Sequence, residues 1–348
     1  MTALRSPLLA AVSACLLVAI AACSGGDDAR SNGGPSSAPT EAFILYRDSS
    51  GSIIAQNLAT EALFEYPADL ERAALVATAC AADGSRLALL EQPFDIVNRQ
   101  LIVTGRDSPA EPFTLTAAVQ GIEWSPDGSR VAYTDLDSVA VEYGVSVLDV
   151  ATGETTTLAS GEGVAGTPSW SPDGSTIAYG VQDVFARTSS IFLLDADEGS
   201  EPFEVEAGED LLYYDPEWSP DGSMLLVAGQ SETETQLYEV DPENGNARKL
   251  TTSNVFKRRP RYAPDGETIA YTGSVIATTV SRDVSVLHQF GIFLLNSDGG
   301  NERALTADPR LNPGAGVDPN LDAFLMGWCR PGPWLDDGWT EIVETTAP

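Results

Sequence analysis

Histidine is almost missing from this sequence: His288 is the only one in 348 residues, and lysine occurs twice, at Lys249 and Lys257. A single histidine leaves little room for histidine-rich metal centres or for a nucleophile activated by imidazole. Positive charge is scarce overall, with 19 Lys and Arg against 51 Asp and Glu and a formal net charge of −32. Nucleic-acid backbones and anionic membrane surfaces would be repelled by that surplus, so neither is expected as a partner. If the surplus is only salt adaptation, stability should rise with salt as screening relieves self-repulsion. No Gly-x-Ser-x-Gly nucleophile elbow occurs, and no stretch is left over for an α/β-hydrolase domain. Yet 43% of the residues are hydrophobic, and aromatic and β-branched residues recur throughout. The chain is therefore not a disordered acidic polymer, and its length suits one large all-β domain or two average ones.

The only long apolar run lies at the start. Leu8 to Ala22 follows Arg5 and is too short to span a bilayer comfortably, so residues 1–22 read as a signal peptide. The run ends Ile20-Ala21-Ala22-Cys23, which resembles the lipobox of bacterial lipoproteins, with Cys23 as the lipidated residue. The competing reading is an ordinary secretory signal with an incidental cysteine. Ser24 to Thr40 contains no large apolar residue, so residues 23–41 are expected to act as a tether spanning about 20–25 Å. Ser24 after the cysteine resembles outer-membrane sorting if the cell is Gram-negative, and a Gram-positive cell would carry the protein on the outer face of its membrane. Cys15 leaves with the leader, so Cys80 and Cys329 remain in an oxidising compartment, either paired or as two buried free thiols.

A repeat sets the architecture. Trp124-Ser-Pro-Asp127-Gly, Trp170-Ser-Pro-Asp173-Gly and Trp218-Ser-Pro-Asp221-Gly are joined by a softened copy, Tyr262-Ala-Pro-Asp265-Gly, and a weaker one, Cys80-Ala-Ala-Asp83-Gly. The spacings are 44, 46, 48 and 44 residues. Each copy is followed by a β-branched run, a second run ending in Asp or Asn, a glycine turn and a third short run. Proline presets one turn dihedral, aspartate bonds back to the backbone, and glycine takes the left-handed position. Each motif is thus a hairpin turn between the first two strands of a four-stranded unit, and the preceding tryptophan offers a broad face for packing between units. Four strands every forty-odd residues make a β-propeller blade.

Phe43 to Tyr66 supplies only three strands, and Trp328-Cys329-Arg330-Pro331-Gly332-Pro333 looks like a degraded motif. With Cys329 in the tryptophan position, the C-terminal strand completes the N-terminal blade and closes a six-bladed ring over residues 42–335, leaving 336–348 as a tail. Cys80 and Cys329 then lie at the closing seam, where a disulfide would staple the ring.

The Trp-Ser-Pro-Asp-Gly turns, the Ile-Ala-Tyr-like strands and strands such as Ile191-Phe-Leu-Leu-Asp195 together resemble the TolB-type, WD40-like propeller repeat. That resemblance implies an extracytoplasmic platform for a protein or peptide. A monomer without cofactor or metal is expected, touching the membrane only through its N-terminal lipid. The motif aspartates, and the acidic turns at Asp195, Asp241 and Asn296, read as turn residues and not as ligands of a hard cation.

The candidate site is the channel mouth. Lys257, Arg258, Arg259 and Arg261 place four of the 19 basic residues within five positions, on the first strand of the sixth blade. Glu123, Ser169, Glu217 and Trp328 stand just before the motif in other blades, with Asp215 close by. The arginines either grip an anionic or zwitterionic group, such as a peptide C-terminus, or are neutralised internally by these carboxylates. The alternative is a propeller enzyme, a hydrolase or lyase acting on a small or saccharide substrate through channel carboxylates such as Glu123 and Glu217, with or without a metal. The stretch Gly273 to Phe290, which holds His288, is longer than its counterparts and is expected to form a long loop.

Overall fold

The structure is a computed structural model that describes residues 42–47, 52–66, 73–93, 98–105, 112–115, 118–197, 201–207, 211–232, 234–278, 286–305, 325–330 and 340–341. The leader, Cys23 and the tether lie outside these residues. Every regular element among them is a strand, and the strands form six antiparallel sheets. The inner strand of each sheet touches the inner strand of the next, and the last returns to the first, so the sheets are six blades of a closed propeller.

Blade one combines Leu325–Cys329 with Phe43–Arg47, Ile53–Asn57 and Leu63–Tyr66. Blade two runs from its inner strand Ala73–Cys80 outward through Arg86–Pro93 and Arg99–Gly105 to Phe113–Leu115, and blade three from Ala118–Trp124 through Arg130–Asp137 and Glu142–Asp149 to Thr155–Glu162. In blade four the inner strand is split into Val164–Ala165 and Ser169–Trp170. Blades five and six begin with Leu212–Trp218 and Phe256–Tyr262. Second strands are nearly continuous apolar runs because both faces are covered by neighbouring blades. Val131 and Ala132, for example, are both fully buried but belong to different inter-blade cores.

The motif turns form as their chemistry dictates. Ser125 Oγ donates to Asp127 Oδ1 at 2.6 Å, Asp127 accepts the Ser129 N–H at 3.1 Å, and Gly128 takes φ 68°. The same set recurs at Ser171–Asp173 and Ser219–Asp221. These bonds, the serine hydroxyl first, hold the three aspartates below the usual carboxylate range.

The ring closes through the C-terminal strand, but one residue out of the expected register. Trp328, and not Cys329, fills the tryptophan slot. Its indole N–H donates to the carbonyl of Arg261 in the preceding blade at 3.3 Å, as that of Trp124 does to Ala79 at 3.1 Å. It packs with Ala263, Ala270 and Ile44 in the core between blades six and one. A side-chain carbon at Gly84 would meet Arg330 Cβ at 2.8 Å, whereas at Gly174 and Gly222 the neighbours are Pro126 and Pro172 of the motif before. Arg330 thus stands in the proline's place, two residues after Trp328. One step along a strand reverses the side chain, so Cys329 points instead into the core shared with blade two, among Phe43, Leu45, Leu87 and Leu89. There it is bonded to Cys80, with the Cα atoms 5.3 Å apart.

Two further differences concern the ends of the repeat. The extra residues of blade six are mainly additional hairpin and not loop, because Thr268–Thr278 pairs throughout with Val286–Asn296, placing His288 opposite Ile276 in register. Residues 279–285 at its tip are outside the described set. In the tail, Thr340–Glu341 pairs with Leu63–Tyr66, so blade one carries a fifth, outermost strand and both its edges are covered by the C-terminal chain.

The disulfide closes a loop of sequence separation 249. Changing Cys80 and Cys329 together to Ser is expected to lower unfolding free energy by about 2–4 kcal/mol. Urea titrations with and without dithiothreitol check this: reductant should lower the parent to the level of the variant and leave the variant unmoved.

Candidate functional site: the central channel

A cavity of about 330 Å³ lies on the channel axis. Its mouth is rimmed by the motif prolines Pro126, Pro172, Pro220 and Pro264, with Ala82 and Arg330 in the two remaining positions. The cavity is governed by the residue before each slot position, since that side chain ends the inner strand facing the axis. Around the ring these are Ala79, Glu123, Ser169, Glu217, Arg261 and Gly327.

Their polar members bridge blade to blade. Glu217 Oε1 accepts the backbone N–H of Tyr262 at 2.9 Å, and Ser169 Oγ accepts that of Trp218 at 3.1 Å. The N–H of Trp170 acts on Glu123 from the corresponding position, favouring its ionised form. Each carboxylate is therefore held in place by the slot residue of the following blade. Arg261 has no acceptor group to pass forward, and its guanidinium turns back to Glu217 Oε2 at 2.5 Å, both side chains being only 12% exposed.

Every blade but the split fourth has an irregular step in its inner-strand pairing. In blades five and six the step falls at Asp215-Pro216 and Arg259-Pro260, where Asp215 and Arg259 take φ 50° and 49°. Bulges re-aim side chains, and here the two are coupled: Asp215 Oδ2 accepts the backbone N–H of Arg259 at 3.2 Å.

Of the expected basic cluster, Arg259 and Arg261 line the cavity. The other two are carried elsewhere. Lys257 is 0% exposed and inside the blade, with its Nζ donating to Val255 O at 2.7 Å, Ser253 Oγ at 3.0 Å and Ser253 O at 3.2 Å, and with Glu302 at 3.7 Å. Burial pushes its ammonium down to about 8, against the pull of Glu302. Arg258 is exposed and lies over the Phe256 ring at 5.2 Å. Trp328 borders the cavity from its slot. Glu123, Glu217 and Arg261 do meet, with Asp215 acting on Arg261 from behind. Sequence reasoning missed the open side of the ring, Ala79 and Gly327, and the wall residues Gln120 and Thr167. Placing Trp328 in the slot would have named Gly327 and Arg330 directly.

The electrostatics are lopsided. Desolvation raises both buried carboxyl groups, and Arg261 opposes the rise in each. Glu217 has the direct ion pair. Glu123, further pushed by the charge of Glu217, reaches about 8 against an ordinary value of 4.5. Arg261 itself is raised, because its three carboxylate neighbours outweigh its desolvation.

Residues 110–325, more than half of the chain, match the family model of the TolB beta propeller domain. The chain belongs to that family. Among solved structures this TolB-type propeller is similar to TolB from Acinetobacter baumannii, with 13% identity, a TM-score of 0.60 and coverage of 84% of this chain and 67% of that one. The putative TolB from Agrobacterium tumefaciens gives 17% identity and a TM-score of 0.53, with coverage of 86% and 96%. At such identities the likeness is one of fold. In sequence the chain is also similar to the uncharacterized peptidase YuxL of Bacillus subtilis (strain 168), 44% identical over 62 residues. That stretch is 18% of this TolB-type chain and only 9% of YuxL.

Two tests follow from the cavity. The folded-state value of Glu123 lies above the unfolded one, so the native protein holds a proton that the unfolded chain has lost between pH 4.5 and about 8. Its contribution is present at low pH and lost as pH rises through that window. Glu123→Gln should therefore gain stability relative to the parent between pH 5 and pH 9, measured by urea unfolding at both pH values. Arg261→Ala leaves two buried carboxyl groups without their cation and should cost about 3–5 kcal/mol at pH 7 in the same assay.

Proposed function

We propose that this protein is a non-catalytic, lipid-anchored propeller that binds a protein or peptide at the cell envelope, with the central channel mouth as its binding site. The observation that carries this reading is the cavity itself: an axial recess with a rigid proline rim and a few convergent polar groups, as binding sites commonly have. Membership of the TolB family supports a platform role. In this reading Arg259, Arg261, Glu123, Glu217 and Trp328 form the floor and wall, Asp215 braces Arg259 from behind, and Lys257 and Arg258 support the strand.

The test uses the full chain in cells, with a photo-crosslinking residue at Arg330 on the rim. A discrete protein adduct is expected, and it should vanish when Gln120→Trp fills the cavity. Adduct formation unchanged by Gln120→Trp would remove the channel from the site. Cys23→Ser should move the protein from the membrane pellet to the soluble envelope fraction, and continued pelleting would sink the anchor.

A second reading is favoured by one observation. Glu123 and Glu217 are two carboxyl groups in unequal environments within one cavity, the arrangement an acid–base pair needs. It calls for turnover of a small or saccharide substrate that Glu123→Gln abolishes.

A further inference from the structure

The residues just before the slots follow one rule in half of the blades and break it in the other half. Glu217 and Ser169 accept the backbone N–H of the next slot residue, Tyr262 and Trp218, and the N–H of Trp170 acts on Glu123 from the corresponding position. Arg261, Gly327 and Ala79 carry no side-chain acceptor. The slot residues that follow them are Trp328, Cys80 and Trp124. Amides along an inner strand alternate between the second strand and the channel. Ala81 and Ser125 donate to Arg86 O and Arg130 O of their second strands at 3.0 and 2.8 Å, so the preceding N–H groups of Cys80 and Trp124 point to the channel. Trp328 holds the same position in blade one. Among the described residues no side chain accepts from any of these three N–H groups.

The three donors stand together on the open side of the cavity, where Ala79 and Gly327 contribute almost no side chain. A side-chain carbon at Gly327 would meet nothing within 4 Å. Cations flank that space. Arg261 is the neighbour of Gly327 in the ring, and its bonds to Glu217 and to the Pro260 carbonyl both leave from Nη1. Its Nη2 and Nε have no acceptor among the described residues. Arg330 is exposed on the rim, where four other blades have the motif proline. Arg259 lines the wall as well, with Asp215 behind it. Of the two carboxyl groups on the wall, Glu217 lies beyond Arg261 and Glu123 beyond Ala79, so neither is next to Gly327. Backbone donors and a guanidinium thus face one space that offers them no acceptor, and such donors call for one.

We infer that the open side of the cavity is a carboxylate pocket, taking the C-terminal carboxylate of a peptide partner against Arg261, Arg330 and the backbone N–H of Trp328. This rests on the platform reading and gives it a ligand chemistry. The ligand carboxylate does for Trp328 what Glu217 does for Tyr262: one oxygen accepts the slot N–H and the other meets the guanidinium of Arg261. Charge-assisted bonds of this kind are short and strong, and converging backbone N–H groups form anion-binding concavities. The space beside Gly327 admits the terminal residue, whose apolar part meets Trp328 and the rim prolines.

The test is calorimetric titration of the full, oxidised chain with N-acetyl-tetraalanine as the free acid and as the C-terminal amide, and separately with butyrate and n-butylammonium. Saturable binding of the acid is expected, with butyrate competing for the same site and butylammonium inert. The amide should bind at least about tenfold more weakly (about 1.4 kcal/mol). Ala79→Glu gives blade two a carboxylate like those of blades three and five, and it should abolish binding by filling and repelling at once. Arg330→Gln lies on the exposed rim, so folding should be unaffected, and it should weaken binding about three- to fivefold. That variant keeps the test informative if Ala79→Glu folds poorly. An amide that binds as tightly as the acid would overturn the proposal, as would binding of butylammonium in place of butyrate. Butyrate bound without the peptide acid would overturn it in favour of a small free carboxylate. Acid binding that ignores both variants, or binding of none of the probes, would also overturn it. In any of these cases a crosslinked partner lost in Gln120→Trp would leave the platform reading standing.

Discussion

Each blade has an apolar face that only another blade can cover, so nothing in this molecule is stable until the ring is complete. Completion falls on five residues, Leu325–Cys329, which join the chain's end to its beginning. They carry three tasks in three consecutive positions. Gly327 leaves the channel open, Trp328 fills the last inter-blade slot, and Cys329 turns the other way to bond blade two. The alternation of side chains along a strand allows neighbours in sequence to serve different cores.

The same alternation decides what could be learned from sequence. The six blades were legible because each motif is a local device: serine, proline, aspartate and glycine satisfy one another within five residues, and their periodicity survives in the chain. The basic cluster is the opposite case. Lys257, Arg258, Arg259 and Arg261 are neighbours in sequence, but a strand with a bulge at Pro260 sends them to the blade interior, the surface and the channel. Their partners come from other blades, such as Glu217, 44 residues away. Compensation at that distance leaves no local mark. The misplacement of Cys329 has a similar origin, since a degraded motif without its second strand offers no internal check of register.

Charge is used sparingly and in a directed way. A chain with a net charge of −32 places three of its few cations, Arg259, Arg261 and Arg330, on the channel and buries another, Lys257, where backbone carbonyls and Glu302 hold it. An acidic surplus of this size disfavours polyanions through long-range repulsion. The interior follows separate rules, in which desolvation sets the protonation of Glu123 and position in the ring decides which carboxyl group is paired.

The bond between Cys80 and Cys329 also fixes how the molecule would carry mechanical load. Tension applied to the two ends of the chain passes from residue 80 to residue 329 through sulfur, so the intervening residues of blades two to six bear none of it. Blade one and the inner strand of blade two, Ala73–Cys80, lie in the force path, and the pull is met by the pairing of Phe43–Arg47 with the closing strand, of Leu63–Tyr66 with Thr340–Glu341, and of Ala73–Cys80 with Arg86–Pro93. An oxidised ring held by its N-terminus while a partner pulls on its body would keep blades three to six in shape as the first blade yields.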